Sequence, residues 1–225
     1  MLYVIATPIG NLKDITLRAL EMLKQSDFVI AENPLNSGKL LQHFEIKKPF
    51  HQFAEHNEQR ALPKLIELLK TGTGSLITDA GTPGISDPGF RLIRACVEAG
   101  VKVVPIPGPA AEVAALSASG LPTDRYIFTG FAPRTENKLI KMVSLGQDTE
   151  STVIFYESPF RIIKSLEFID KHFPDCHVVV AREITKVFEE FLRGNPKEIL
   201  GKLGKENTKG EFTVLVSFKD LNKKD

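Results

Sequence analysis

The chain has two cysteines, no apolar run approaching the ~20 residues of a membrane helix, and 29 Lys and Arg set against 28 Asp and Glu. Each shortage excludes something. Cys96 and Cys176 stand alone, with no C-x-x-C and no histidine at metal spacing, which argues against a disulfide framework or a zinc site and for two buried small hydrophobes. No metal centre is expected. The opening MLYVIATPIGN lacks the basic n-region of a signal peptide, so the expected location is cytoplasmic. A formal net charge of +1 means that any basic surface for a nucleic acid must be local. Two phosphate-binding signatures are also missing, G-x-x-x-x-G-K-[ST] for a nucleoside triphosphate and G-x-G-x-x-G for a dinucleotide.

What is present is 225 residues of ordinary globular composition, 42% hydrophobic and 25% charged, enough for one large domain or two small ones. Over 1–121 apolar runs alternate with helical patterns: LYVIAT, DFVIAE, GSLITD and VKVVPI read as strands, and ITLRALEMLKQS, a segment from about Ser37 to Phe44, EQRALPKLIELLKTG, PGFRLIRACVEAG and PAAEVAALSASG as helices. Pro63 is expected in the first turn of its helix. Strand followed by helix, repeatedly, predicts a parallel α/β sheet. Beyond SGLPTD the texture changes. Over 122–225 five short β-rich runs, DRYIFTGF, STVIFYES, HVVVARE, FEEFLRG and GEFTVLVSF, accompany two long helical patterns, 136–146 and 159–171, which predicts a second α/β domain with a mixed sheet. The tail KDLNKKD is expected to fray.

One stretch asks for more than turn chemistry. DAGTPGISDPG, 79–89, packs three glycines, two prolines and two aspartates between a strand and a helix. It lies at the carboxyl edge of a parallel sheet, where ligands bind, and it leads into a helix amino terminus. Glycine lets backbone approach a ligand, and proline stiffens the loop so that little ordering entropy is lost on binding. TPIGN, 7–11, and PIPGPAAE, 105–112, occupy equivalent strand ends. Three Pro/Gly loops on one edge predict a preorganised small-molecule pocket presenting mostly backbone groups.

These loops, together with LYVIATPIGNLKDITLRALEML, DAGTPGISDPGFRLIRA, PGPAAEVAALSASGLPTDRYIFTGF, FYESPFR, VVVAREITKVFEEFLRG and KGEFTVLV, make the chain resemble the tetrapyrrole methylase superfamily nearly from end to end. Within it the motifs most resemble the branch that methylates the ribose 2′-hydroxyl of a cytidine in 16S ribosomal RNA. The resemblance implies two α/β domains with S-adenosyl-L-methionine in the interdomain cleft, a homodimer, and 16S RNA or the 30S subunit as partner. It carries cofactor contacts onto Pro8, Asp79, Ala80, Gly81, Ile85, Pro109, Ala110, Phe155, Tyr156 and Ala181, with Asp79 able to take the cofactor's ammonium or to cap a turn. Where the branch usually reads Ala-Glu-Asp-Thr-Arg-His-Thr-x-Lys-Leu-Leu, this chain reads AENPLNSGKLL. Asn33, Leu35 and Asn36 thus replace an acid, a guanidinium and an imidazole, while Glu32 and Lys39 are kept.

Methyl transfer needs an aligned displacement and help for the hydroxyl in losing its proton. Glu157 in YESP, Glu183 and Lys186 in REITK, and Asp87 are the candidates, and a salt bridge or cap would use the same residue types. Lys39, Arg134 and Arg161 are the RNA-binding candidates, with Lys138 beside them in APRTENK; surface solvation is the alternative for each. His51 and His56 flank QFAE at a spacing unlike H-E-x-x-H; a polar loop facing substrate and a helix entry capped by Asn57, with Arg60 solvated, both fit. Methylation of a tetrapyrrole, and a non-catalytic cofactor- or RNA-binding relative, remain as other readings.

Overall fold

A computed structural model describes residues 1–203 and 208–219. By its contacts the chain divides into Met1–Ala110 and Ala111–Asp225.

The first unit is one parallel sheet of β1 (Leu2–Ile5), β2 (Phe28–Ala31), β3 (Phe50–Gln52), β4 (Gly74–Ile77) and β5 (Val103–Ile106), in the order β3-β2-β4-β1-β5. Its strands are short apolar runs because both faces are covered. Val29, Ala31, Ile5, Ile77 and Ile106 pack under α1 (Leu17–Gln25) and α2 (Pro34–His43), through Ala19, Leu23 and Leu41. Phe28, Ile30, Leu2, Val4 and Leu76 turn the other way, onto α3 (Glu58–Thr71) and α4 (Phe90–Glu98), through Leu65, Leu69, Leu92 and Cys96. Chain from β1 therefore leaves to one face and chain from β4, its neighbour, to the other, which opens a crevice at their carboxyl ends. Pro105 is tolerated because β5 is an edge strand.

One helix begins earlier than its pattern suggests and another starts where its pattern does, each for a local reason. Asn33 accepts from Leu35 N at 3.1 Å and Pro34 fills the first position, so α2 starts three residues ahead of Ser37. Asn57 accepts from Ala54 N at 2.9 Å and donates to Gln52 O at 3.3 Å, turning the chain into α3 at Glu58. Pro63, expected in the first turn, sits inside the helix, five residues beyond Glu58. The stretch expected to be either a polar loop or a helix entry contains β3, where the His51 ring meets Phe28 edge-on at 5.1 Å. Burial, followed by the nearby Lys64 charge, lowers the His51 pKa. His56 and Arg60 are exposed.

The second unit holds α5 (Ala111–Ser119) and a mixed sheet of β6 (Tyr126–Phe131), β7 (Thr152–Glu157), β8 (His177–Arg182), β9 (Glu190–Gly194) and β10 (Phe212–Ser217), in the order β6-β7-β10-β8-β9. Only β6 and β7 pair in parallel; the other pairings are antiparallel. One face buries Val153, Phe155, Val178, Val180, Val214 and Val216 under α6 (Glu136–Thr149), α7 (Ile162–His172) and α8 (Pro196–Lys202). The helix α8 lacks a long apolar pattern; a reciprocal Asn195–Glu198 capping box and Pro196 start it. The opposite face, Ile154, Val179 and Leu215, lies under α5. That packing groups α5 with the second unit, eleven residues ahead of the break expected at 121/122. Of the tail KDLNKKD, Lys219 is described and pairs with Asp124 at 2.9 Å; 220–225 lie outside the described residues. No helix among the described residues is long and apolar enough to cross a membrane.

Candidate functional site

The carboxyl ends of β4, β1 and β5 lie side by side, and their loops are tied to one another. Thr7 N donates to Gly81 O at 2.8 Å and Gly81 N returns a bond to Thr7 O at 3.1 Å. Thr82 Oγ1 donates to Pro109 O at 3.3 Å, joining the second loop to the third. Beneath them the buried Thr7 hydroxyl donates to Thr78 O at 3.2 Å. This cross-linking keeps Pro8, Asp79, Ala80, Gly81, Ile85, Pro109 and Ala110 together on one edge. The second loop turns through left-handed residues at Gly81 (φ +76°), Gly84 (φ +82°), Ser86 (φ +58°) and Gly89 (φ +139°). A side chain on Gly89 would meet Leu76 Cδ2 at 3.1 Å and Gly84 N at 3.2 Å, so glycine is required there by both conformation and space.

A fourth contributor comes from β2, through the segment that departs from the family pattern. Asn36 Nδ2 donates to Asp79 Oδ2 at 2.9 Å, so the residue standing in the imidazole's place holds the loop acid. Burial, and after it the Asp79 charge, raises the Glu32 pKa; the Asp79 N–H opposes them. Two carboxylates in repulsion at an exposed strand end make a place for a cation. Asp79 and Ala80 are exposed, Ile85 offers apolar surface, and a carboxylate has capacity beyond the one bond from Asn36. This donor set fits an amino-acid ammonium next to an apolar group, as S-adenosyl-L-methionine would present. Lys39 is exposed on α2, and Leu35 projects into solvent.

In the second unit Tyr156, Thr213 and Ala181 form one row across β7, β10 and β8. Tyr156 faces α5 and donates to Glu112 Oε2 at 2.6 Å. Alternation sends Phe155 to the opposite face, where it is fully buried in the core, so its side chain is not brought together with Tyr156 and Ala181. Glu112 escaped sequence analysis; its signal was an acid in the first turn of an otherwise apolar helix.

The proton-transfer candidates differ sharply in setting. Glu157 is 2% exposed and fully engaged: Arg161 Nη2 at 2.6 Å, Ser158 N at 2.7 Å and the Ser165 hydroxyl all reach it. Arg161 also donates to Ala132 O at 3.1 Å. Its guanidinium is thus shared between Glu157 and the Ala132 carbonyl and is not a solvated surface cation. Glu183 accepts from Lys186 Nζ and from Glu211 N, each at 2.9 Å, and Lys186 also reaches Glu211 Oε2 at 3.0 Å. Burial pushes the Glu183 pKa up, but Lys186 and the Glu211 N–H outweigh it and the net shift is downward. Burial pushes the Lys186 pKa down, but hydrogen bonds to Glu183 and Glu211 outweigh it and the net shift is upward. Their loop is strained, with Glu183 at φ +49° and the β-branched Thr185 at φ +68°. Asp87 is half-buried in the second loop, and Arg134 and Lys138 are exposed. Among the described residues no group of three or more His, Cys, Asp or Glu is placed to hold a metal ion.

Fold and loops together define a two-unit methylase: the chain belongs to the family of tetrapyrrole (corrin/porphyrin) methylases, whose model matches residues 1–200. Among curated proteins it is similar to ribosomal RNA small subunit methyltransferase I of Pasteurella multocida (strain Pm70), 47% identical over 224 residues, which are 97% of this chain and 79% of that protein. The protein of the same name from Thermotoga maritima is 39% identical over 220 residues, 97% of this chain and 99% of that one. The crystal structure of diphthine synthase shares the fold, with a TM-score of 0.74 at 16% identity over 96% of this chain and 89% of that one.

Proposed function

We propose that this chain is an S-adenosyl-L-methionine-dependent methyltransferase acting on the ribose 2′-hydroxyl of a cytidine in 16S ribosomal RNA, as a cytoplasmic homodimer. The observation that carries the reading is the 47% identity along 97% of the chain to a protein named for methylating small-subunit ribosomal RNA. None of the relatives cited is named for a tetrapyrrole substrate, so the RNA reading stands over the corrin one.

When bound, the cofactor supplies a methyl group already activated by its sulfonium. The chain's part is then binding, orientation and proton handling. Asp79, braced by Asn36, accepts the ammonium, and the backbone of the loops around Pro8, Gly81 and Pro109 fixes the remainder against Ile85. Tyr156 and Ala181 are carried over from the family as further cofactor contacts, with Phe155 contributing backbone only. We assign proton acceptance to Glu183. It is ionised at neutral pH and partly accessible, whereas Glu157 is closed off by Arg161. Lys186, held charged beside it, offsets negative charge developing on the ribose oxygen.

The test incubates the pure protein with methyl-labelled cofactor and either undermethylated 30S subunits or uroporphyrinogen. Label on a ribose oxygen of the RNA is the expected result; label on the tetrapyrrole, or on neither, overturns the reading. Glu183→Gln should slow transfer by about 100-fold or more while cofactor affinity is kept, and a rate within a few-fold of the parent removes Glu183 from the role. Equilibrium sedimentation decides the dimer.

A further inference from the structure

The second sheet ends, on the side of β7's carboxyl terminus, in two exposed aromatic rings that no fold argument explains. Phe160 is 95% exposed and Phe131 is 62% exposed. Both stand on braced backbone. Phe131 closes β6 after a register shift in the β6–β7 ladder between Phe128 and Phe131, with Gly130 left-handed at φ +70°. A bulge of this kind re-aims the side chain that follows it. Phe131 also meets the Tyr156 ring edge-on at 5.5 Å. Phe160 sits in the turn after β7, where its N–H donates to Ser158 Oγ at 3.3 Å. The two loops are clamped by Arg161, which holds Glu157 on its own side and Ala132 O on the other.

The chain just beyond Phe131 carries two exposed cations. Arg134, three residues beyond Phe131, and Lys138 on the following turn of helix are exposed and make no ion pair among the described residues. The nearby acids are already matched, Glu157 by Arg161 and Glu136 by Lys171 and His172. Rigid, solvent-facing π surfaces next to unmatched cations are what a nucleic-acid strand with unstacked bases requires, and a protein partner or a second copy gains little from bare Arg and Lys here.

We propose that this edge is a stacking platform for unpaired nucleotides of the RNA substrate, with Phe160 and Phe131 receiving bases and Arg134 and Lys138 taking the flanking phosphates. It rests on the RNA-methylating reading and adds where and how the strand is held. The experiment measures anisotropy of a fluorescein-labelled single-stranded oligocytidylate with the full chain. Phe160→Ala and Phe131→Ala should each weaken binding by about 5- to 100-fold, and Phe160→Trp should restore it, since every aromatic face serves. The thermal midpoint of Phe160→Ala should not move, because the ring packs against nothing. Unchanged RNA affinity in both alanine variants overturns the platform. A shift of Phe160→Ala from dimer to monomer in sedimentation, with RNA affinity unchanged, overturns it in favour of a second copy as occupant. Methyl transfer to 30S subunits by the parent chain is read in parallel. If the parent transfers methyl and the variants bind like it, the platform falls and the function stands. If the parent binds oligocytidylate in a Phe160-dependent way but transfers no methyl, the function falls and the platform stands.

Discussion

Gly81 shows how a single residue carries two duties. Its left-handed φ of +76° serves the turn, and its N–H and C=O both bond Thr7, joining the first two loops. A Cβ there meets only Ile9 Cγ2, at 3.6 Å, so the penalty of a side chain comes from backbone conformation and not from a clash. Gly81→Val should therefore cost stability of roughly 1–2 kcal/mol and lower cofactor affinity at least about tenfold. Calorimetry with the folded variant checks this, and parental affinity would separate the loop from the cofactor. At Arg161 the argument runs through its partner. Arg161→Ala strands a carboxylate that is 2% exposed, and breaking a buried pair costs roughly 3–5 kcal/mol. The variant should melt several degrees lower, and a midpoint equal to the parent's would show that Glu157 finds another partner. Cys96 and Cys176, pushed up by burial to about 11 and about 12, are inert core thiols, as their isolation in the sequence implied.

Elements with strong apolar runs or periodicity were legible: the four longer strands of the first sheet, all five of the second, and seven of the eight α-helices among the described residues. The elements missed were those whose cause is not periodicity. β3 has three residues and half-exposed side chains, and it exists because Val29, Ile30 and Ala31 supply a ladder for it. α8 is short and begun by its capping box. The ends of elements also hold a pH response. Glu32 follows β2 as Asp79 follows β4, and its pKa is raised by burial first and by Asp79 second. A folded-state pKa above the unfolded value means that the fold binds the proton more tightly. Stability from this group is therefore greatest at low pH and declines as pH rises from the unfolded value near 4.5 through the raised folded one. Glu32→Gln should remove that decline and raise the melting temperature at pH 7. Melting curves from pH 4 to 8 test it, and an unaltered pH slope would discharge Glu32.

For the whole molecule, a net charge of +1 makes RNA binding a matter of placement. Binding of single-stranded RNA should weaken as salt rises. Replacing Arg134 and Lys138 together by Ala should flatten the log–log slope by about 1.4, roughly 0.7 for each released counterion, with cofactor affinity unchanged. An unchanged slope in the titration would take both residues off the RNA path. Arg161, which reads in sequence either as an RNA-binding candidate or as a partner for a neighbouring carboxylate, is engaged by Glu157, four residues before it.

The order of elements, the parallel and mixed sheets, and the three Pro/Gly loops were written in local signals: apolar runs, helix periodicity, and residues that fit only turns. The kinship in the motifs named the chemistry. Which polar side chains are spent on structure was decided only by tertiary packing. Asn36 reaches Asp79 across 43 positions and Tyr156 finds Glu112 across 44. Hydrogen bonds and ion pairs form over a few ångströms of space whatever the separation along the chain. A carboxylate's role is accordingly set by the group that folding delivers beside it, and Glu157 and Glu183, alike as sequence, part company there.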